Sequence, residues 1–210
     1  MVGGGFVGIE MVENLVNRGI EVTLVEMLDQ VMNNVDRDMA QWLHMELNEK
    51  GVHLSFSEAL VRVEHNGGKA NIVLASGKSI SADMVILSAG IKPNTELAKA
   101  AGLSLGRKGH IIVDQMLTTN DPDIFALGDA VEVTNFITNQ RCVAALAAPA
   151  NKQGRIAAGN VLGSRIPYRG AQMTSVAKVF SKTIAATGLT EKALKADGKS
   201  LHKDYEVIVS

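Results

Sequence analysis

Gly3, Gly5 and Gly8 stand in the spacing G-x-G-x-x-G within MVGGGFVGIE, and Glu26 follows eighteen residues after the last of them. Glycines so spaced allow a tight turn at Gly3, close backbone approach to a pyrophosphate at Gly5, and tight helix–strand packing at Gly8. The amides around Phe6 and Val7 would then open a helix whose partly positive N-terminus suits phosphate. Ile9 rather than Lys follows Gly8, which excludes a Walker-type loop. A carboxylate at the end of the next strand can accept both hydroxyls of an adenosine ribose and would repel a 2′-phosphate. Met27 and Leu28 supply no cation for such a phosphate. The expected chemistry is binding of a nicotinamide dinucleotide, with NADH favoured over NADPH. A chance glycine turn beside a solvated Glu is the alternative, and the surrounding βαβ pattern argues against it.

Gly128-Asp129 is a second candidate. An Asp directly after a strand, in a turn that exposes it, can bind a polyol diol or a metal-bound oxygen, although Gly-Asp is also an ordinary surface turn. Cys142 stands alone, without a CxxC partner or zinc spacing, and reads better as a half-buried bystander than as a redox thiol. His44, His53, His65, His110 and His202 are scattered without metal-ligand spacing, so no metal site is expected.

These residues need elements to hold them. Ile9, Val12, Leu15 and Val16 recur at helical spacing up to Gly19, a C′ glycine, and IEVTLVE (20–26) alternates as a strand. Asp36 or Asp38 caps a helix carrying Met39, Trp42, Leu43 and Leu47 that stops at Gly51, followed by a strand over 52–56. Strands over 59–64 and 70–75 flank the turn Asn66-Gly67-Gly68-Lys69. MVILSA (84–89) reads as a buried strand, with a short helix over 95–101. Short strands are expected over 111–114 and 124–127, a polar loop after Ala130, and a helix from Pro149 to Leu162. An antiparallel pair (176–180, 183–187), a helix (191–196) and a strand (205–209) complete the chain. Only Met1 and Val2 precede the glycines, and the last strand stops at the C-terminus, so both ends read as truncated.

Lys plus Arg total 21 and Asp plus Glu 22, a net charge of −1, which argues against nucleic-acid partners and a polybasic membrane anchor. Charges interrupt every apolar stretch before a spanning helix would be complete, and no positively charged leader precedes the glycines. With 46% hydrophobic residues, a globular protein is expected, and a cytoplasmic one.

The order GGGFVGIE, VILSAGIKPN and TTNDPDIFALGDA resembles the flavoprotein pyridine nucleotide–disulfide oxidoreductases, FAD enzymes with an NAD(P) domain inserted into the FAD domain. LAAPANKQGRIAAGNVLG and GAQMTSVAKVFSKTIAATGLTEK are most similar to the coenzyme A-disulfide reductase branch, with NADH oxidases and peroxidases close behind. The resemblance covers essentially all 210 residues. It implies that Gly3, Gly5, Phe6, Val7, Gly8 and Glu26 bind the nicotinamide dinucleotide, and that Ser88, Ala89 and Gly90 pass beside it. Glu10 matches a position near the nicotinamide and flavin rings, and is equally an ordinary first-turn Glu. Asp129 would hold the flavin ribitol, and the helix at Pro149 would aim amides such as that of Ala150 at the flavin pyrimidine edge. The family's first FAD loop and redox cysteine would lie upstream, so no catalytic residue is assigned within this chain.

The fold expected is α/β: a Rossmann-like FAD/NAD(P)-binding fold with a β-meander, plus the start of an α+β dimerisation domain. The expected divisions are 1–112 for the NAD(P)-binding domain, 113–166 for the C-terminal half of an FAD domain, and 167–210 for the dimerisation domain. The last two are expected to expose apolar surface. The function implied is that of a fragment of an oxidoreductase, homodimeric in the parent, using NAD(P)H and FAD to reduce a small disulfide such as CoA disulfide. Oxygen or peroxide as acceptor is the alternative. The isolated chain is expected to be a non-catalytic NADH-binding module.

Overall fold

In the computed structural model, which describes residues 1–208, helix α1 (Phe6–Asn17) starts directly behind the glycine loop, with Gly5 extended at its N-cap. Ile9 and Val12 face inward. The Gly19 amide donates to the Val16 carbonyl and the Ile20 amide to that of Leu15, a Schellman ending that Gly19, at φ +75°, permits. Strand β1 (Thr23–Val25) follows and pairs in parallel with β2 (His53–Ser55), helix α2 (Arg37–Glu49) lying between them in sequence. Met1 and Val2 lie on the other side of β1, the Val25 amide donating to the Met1 carbonyl at 2.9 Å. Beyond Val2 comes the expected strand over 84–89. It is reduced to one parallel bridge between Val2 and Leu87, and Met84 and Leu87 are exposed rather than buried.

Strands β3 (Leu60–Asn66), β4 (Lys69–Leu74) and β5 (Ser79–Ala82) form an antiparallel meander, β5 being absent from the sequence-based reading. Gly67 and Gly68 both have positive φ, the requirement of a two-residue type I′ hairpin turn. In α2 the buried residues are Ala40, Leu43, His44, Glu46 and Leu47, whereas Met39 and Trp42 are exposed, Trp42 by 58%. Residues 40, 43, 44 and 47 share one face at helical spacing, and that face turns Trp42 outward.

The chain divides into two compact units: residues 1–90 with those from Val176 onward, and residues 91–175. Within the second, α3 (Glu96–Ala100) precedes β6 (Ile111–Ile112), which runs parallel to β7 (Val131–Thr134). β7 and a further strand, β8 (Arg141–Cys142), pair antiparallel where a polar loop was expected. The segment 124–127 makes only a single bridge, Phe125 to Thr118, before a 3-10 turn over Gly128–Ala130. Helix α4 (Ala147–Val161) starts two residues ahead of Pro149, which therefore sits third, still within the turn whose amides need no helical acceptor. Val113, Leu117, Val131, Val133 and Tyr168 form this unit's core.

The chain then returns to the first unit as the hairpin β9 (Ser175–Val179) and β10 (Lys182–Ala186), followed by α5 (Glu191–Ala196). Val179, Phe180 and Ile184 join Ile9, Val12, Leu24, Leu43 and Leu47 in one buried cluster. One face of the hairpin is thus buried with residues of α1 and α2, while Val161, Leu162, Val176 and Ile208 are exposed, in keeping with the apolar surface expected of these stretches. Tyr205 bridges only to Leu201, so the expected strand over 205–209 does not form through Ile208, and Val209 lies outside the described residues. Among the described residues no helix is long and apolar enough to cross a membrane.

Candidate functional site

The glycine loop lies at the ends of Met1–Val2 and β1. The Gly3 amide donates to the Val25 carbonyl at 2.9 Å, and the Ser88 amide to Val2 at 2.7 Å. Gly3 has φ +102°, and a Cβ there would enter the Ser88 carbonyl oxygen; a Cβ at Gly8 would enter the carbonyl oxygen of Gly3. Both glycines are therefore required for the chain to pass itself this closely. Gly5 differs: nothing lies within 4 Å of the space its Cβ would take. The open space faces the start of α1, where the amides of the first turn have no helical acceptor.

Glu26 closes the other side. Its Oε2 accepts the Gly4 amide at 2.6 Å and its Oε1 accepts the Leu28 amide at 2.8 Å. A carboxylate has about four acceptor positions, so both oxygens retain capacity for a diol. The next segment returns to the loop, the Met32 amide donating to the Gly4 carbonyl at 2.8 Å. The structure thus brings together Gly3, Gly5, Phe6, Val7, Gly8, Glu26 and Ser88. Glu10 is exposed in the second turn of α1, its carbonyl accepting the Asn14 side-chain amide at 2.8 Å. Ala89 and Gly90 are exposed beyond Ser88.

The second unit carries its own polar surface. Asp129 is exposed in the 3-10 turn behind Gly128, whose φ of +82° suits glycine. The Gly128 amide donates at 2.7 Å to Oε1 of Gln153, a side chain of α4 only 1% exposed. The Gln153 Nε2 is buried without a hydrogen-bond partner, as are both ring nitrogens of His110. The Ala150 amide donates back to the Leu146 carbonyl at 3.1 Å, so the donors of this first turn that lack an intrahelical acceptor are those of Ala147 and Ala148. Cys142 is half-buried in β8. Burial and the nearby Glu132 carboxylate push its thiol pKa up, the opposite of what a thiolate nucleophile needs.

Reading the sequence missed Gly4, the Val31–Met32 turn, His44 and Gln153. Gly4 sits inside the motif, but the other three act through contacts that no local spacing encodes.

The glycine loop, the acid held beside it and the parallel strands belong to a mixed α/β fold that matches the FAD/NAD(P)-binding domains of CoADR and NADH oxidase. The chain belongs to the pyridine nucleotide-disulphide oxidoreductase family, whose profile matches residues 1–154, and within it to the branch of CoADR and the NADH oxidases. An NADH oxidase of Enterococcus faecalis is 36% identical over 200 residues, covering 94% of this chain and 45% of that protein. The reduced Bacillus anthracis CoADR-RHD superposes with a TM-score of 0.90 at 48% identity, covering 95% of this chain and 36% of that one. An NAD-dependent persulfide reductase from A. fulgidus gives a TM-score of 0.90 at 40% identity, with 94% and 37% covered. The chain spans less than half the length of these relatives. The family is FAD-dependent and uses NAD(P)H.

Proposed function

We propose that the first unit binds NADH and that, in a whole protein of this family, it feeds an FAD-dependent reduction of a small disulfide such as CoA disulfide. The observation that carries the nucleotide reading is the Glu26 carboxylate, held by the Gly4 and Leu28 amides beside the open space at Gly5. Gly3 and Gly8 shape the loop, and the amides of Phe6, Val7 and Gly8 meet the pyrophosphate. Glu26 takes the adenosine ribose, while Glu10, Ser88, Ala89 and Gly90 border the nicotinamide end. Met27 and Leu28 leave a 2′-phosphate without a cation, which favours NADH. The name of the A. fulgidus relative agrees with that choice.

For FAD, the residues of the second unit fit in part. Asp129 offers a carboxylate to the ribitol hydroxyls and the unpartnered Gln153 Nε2 offers a buried donor beside that turn, whereas the amide expected of Ala150 is taken by the Leu146 carbonyl and Pro149 has none, leaving those of Ala147 and Ala148 at the start of α4. FAD, when bound, accepts hydride from NADH and passes electrons on. This chain's part is to hold and orient. The resemblance divides these tasks at 1–112, 113–166 and 167–210, the last beginning a dimerisation domain of a homodimer. A cytoplasmic setting belongs to the same reading. Oxygen or peroxide is the alternative acceptor, and the E. faecalis relative is named an NADH oxidase.

By itself the chain is a nucleotide-binding module, because its one cysteine is half-buried and its thiol is held protonated. Glu26→Ala tests the assignment. Loss of charge-assisted hydrogen bonds predicts NADH affinity lower by about tenfold or more in a fluorescence titration, whereas unchanged affinity removes the ribose role. The same samples should consume no NADH when offered CoA disulfide.

A further inference from the structure

The segment between Glu26 and α2 contains an unusual turn. Met32 has φ +50°, a left-handed backbone that residues other than glycine rarely adopt, and Val31 and Met32 are almost wholly buried. Such a conformation persists only where its surroundings over-determine it. Two hydrogen bonds do so here. The Met32 amide donates to the Gly4 carbonyl at 2.8 Å, and the Val31 amide donates to Nε2 of His44 at 3.2 Å. His44 is 6% exposed on the inner face of α2, and its ring lies 4.5 Å from that of Phe56. Because Nε2 accepts, the ring is the neutral tautomer with its proton on Nδ1. Gly4 in turn donates to Glu26, so a continuous path runs from His44 through Val31, Met32 and Gly4 to the ribose-facing acid.

We propose that His44 is a positioning residue of the nucleotide site: as a neutral acceptor it holds the Val31–Met32 turn against Gly4, and a proton on Nε2 breaks that hold and weakens nucleotide binding. This rests on the reading of the first unit as an NADH site. A protonated ring would present N–H to the Val31 N–H, donor against donor. Two charged groups face the ring, Arg37 from its own helix and Asp29 from the preceding segment, and they are paired with each other. Phe56, from the end of β2, contributes no charge. Burial, then the Arg37 cation, lower the His44 pKa against the smaller opposing pull of Asp29. The ring is therefore neutral at physiological pH, and the effect belongs to acid conditions.

The test uses ADP-ribose, which carries the pyrophosphate and adenosine ribose and lacks the acid-labile reduced nicotinamide. Its affinity is measured by calorimetry from about pH 7.5 down to about pH 5 for the wild-type chain, His44→Gln and His44→Leu. Loss of one buried hydrogen bond predicts that wild-type affinity falls by about fivefold across this range. The Gln variant, whose carbonyl accepts at every pH, should lose this component. The Leu variant should be uniformly weaker and equally flat. The same fall in wild type and Gln variant overturns the proposal while leaving the nucleotide site intact. No binding even near neutral pH removes the nucleotide reading and this inference with it. A variant-free check is the Val31 amide resonance of the unliganded wild-type chain: it should shift together with the His44 ring nitrogens, and a Val31 signal indifferent to that titration also overturns the proposal.

Discussion

In the unit that carries the glycine loop, carboxylates accept amides from distant parts of the chain. Glu26 takes that of Gly4, Glu13 that of Phe180, Glu46 that of Ser181, and Asp36 those of Glu191 and Lys192. The unit formed by residues 91–175 contrasts with this. Gln153 Nε2 and both ring nitrogens of His110 are buried there without a partner, and among the described residues no such side-chain atom occurs in the first unit. Buried polar groups are normally paired, and leaving one unpaired costs about 1–3 kcal/mol. Among the described residues, the buried side-chain polar atoms of the first unit are therefore all partnered. The second retains unspent hydrogen-bonding capacity beside the turn that we assign to FAD.

The strongest way to break this contrast is Gly8→Ala. Its Cβ would collide with the Gly3 carbonyl, so we expect loss of nucleotide binding together with about 3 kcal/mol of stability, read from denaturant midpoints. Phe180→Ala should cost a similar amount, about 3 kcal/mol, by opening a cavity between hairpin and helices. If instead it costs nothing, the hairpin does not complete the first unit. A titration sharpens the point. Hydrogen bonds from the Ser181 amide and hydroxyl hold the Glu46 carboxyl below the usual carboxylate range. The folded pKa lies below the unfolded one, so the contribution is full above the unfolded value and disappears as pH falls through the folded value. Glu46→Gln should therefore be less stable than wild type near pH 7 and approach it in acid, as the Glu46 carboxyl of the folded chain takes up its proton. Smallest is Gln153→Met, which removes both an unpaired donor and the acceptor for Gly128. These opposing changes should leave a net loss of about 1 kcal/mol or less, measured by thermal denaturation.

Legibility followed sequence distance. The Schellman ends at Gly19 and Gly51 and the Gly67-Gly68 turn depend on neighbours a few residues away, and the glycine loop and Glu26 follow a motif of recognisable spacing, so their positions could be read directly. The inward face of α2 could not. Its apolar residues permit two stripes, and the choice of Leu43 and Leu47 with Ala40 and His44 over Met39 and Trp42 follows from what packs against them. β5 and β8 escaped because strands of four and two residues carry too little alternation to register. Asp36 was legible as a cap but not for the right helix. It occupies the N-cap of α2 while its carboxylate serves the amides that open α5.

That misdirected cap has a consequence for the order of events during folding. The bonds from Glu46 to Ser181 and from Asp36 to Glu191 join residues 135 and 155 positions apart. Contacts of such separation require large loops to close before they return any stabilisation, and they slow folding. During synthesis, α1, α2 and their strands emerge before the hairpin, with the inner faces of Leu43 and Leu47 open to solvent. Phe180 and Ile184 must then leave the ribosome, with all of residues 91–175 made in between, before that core can close.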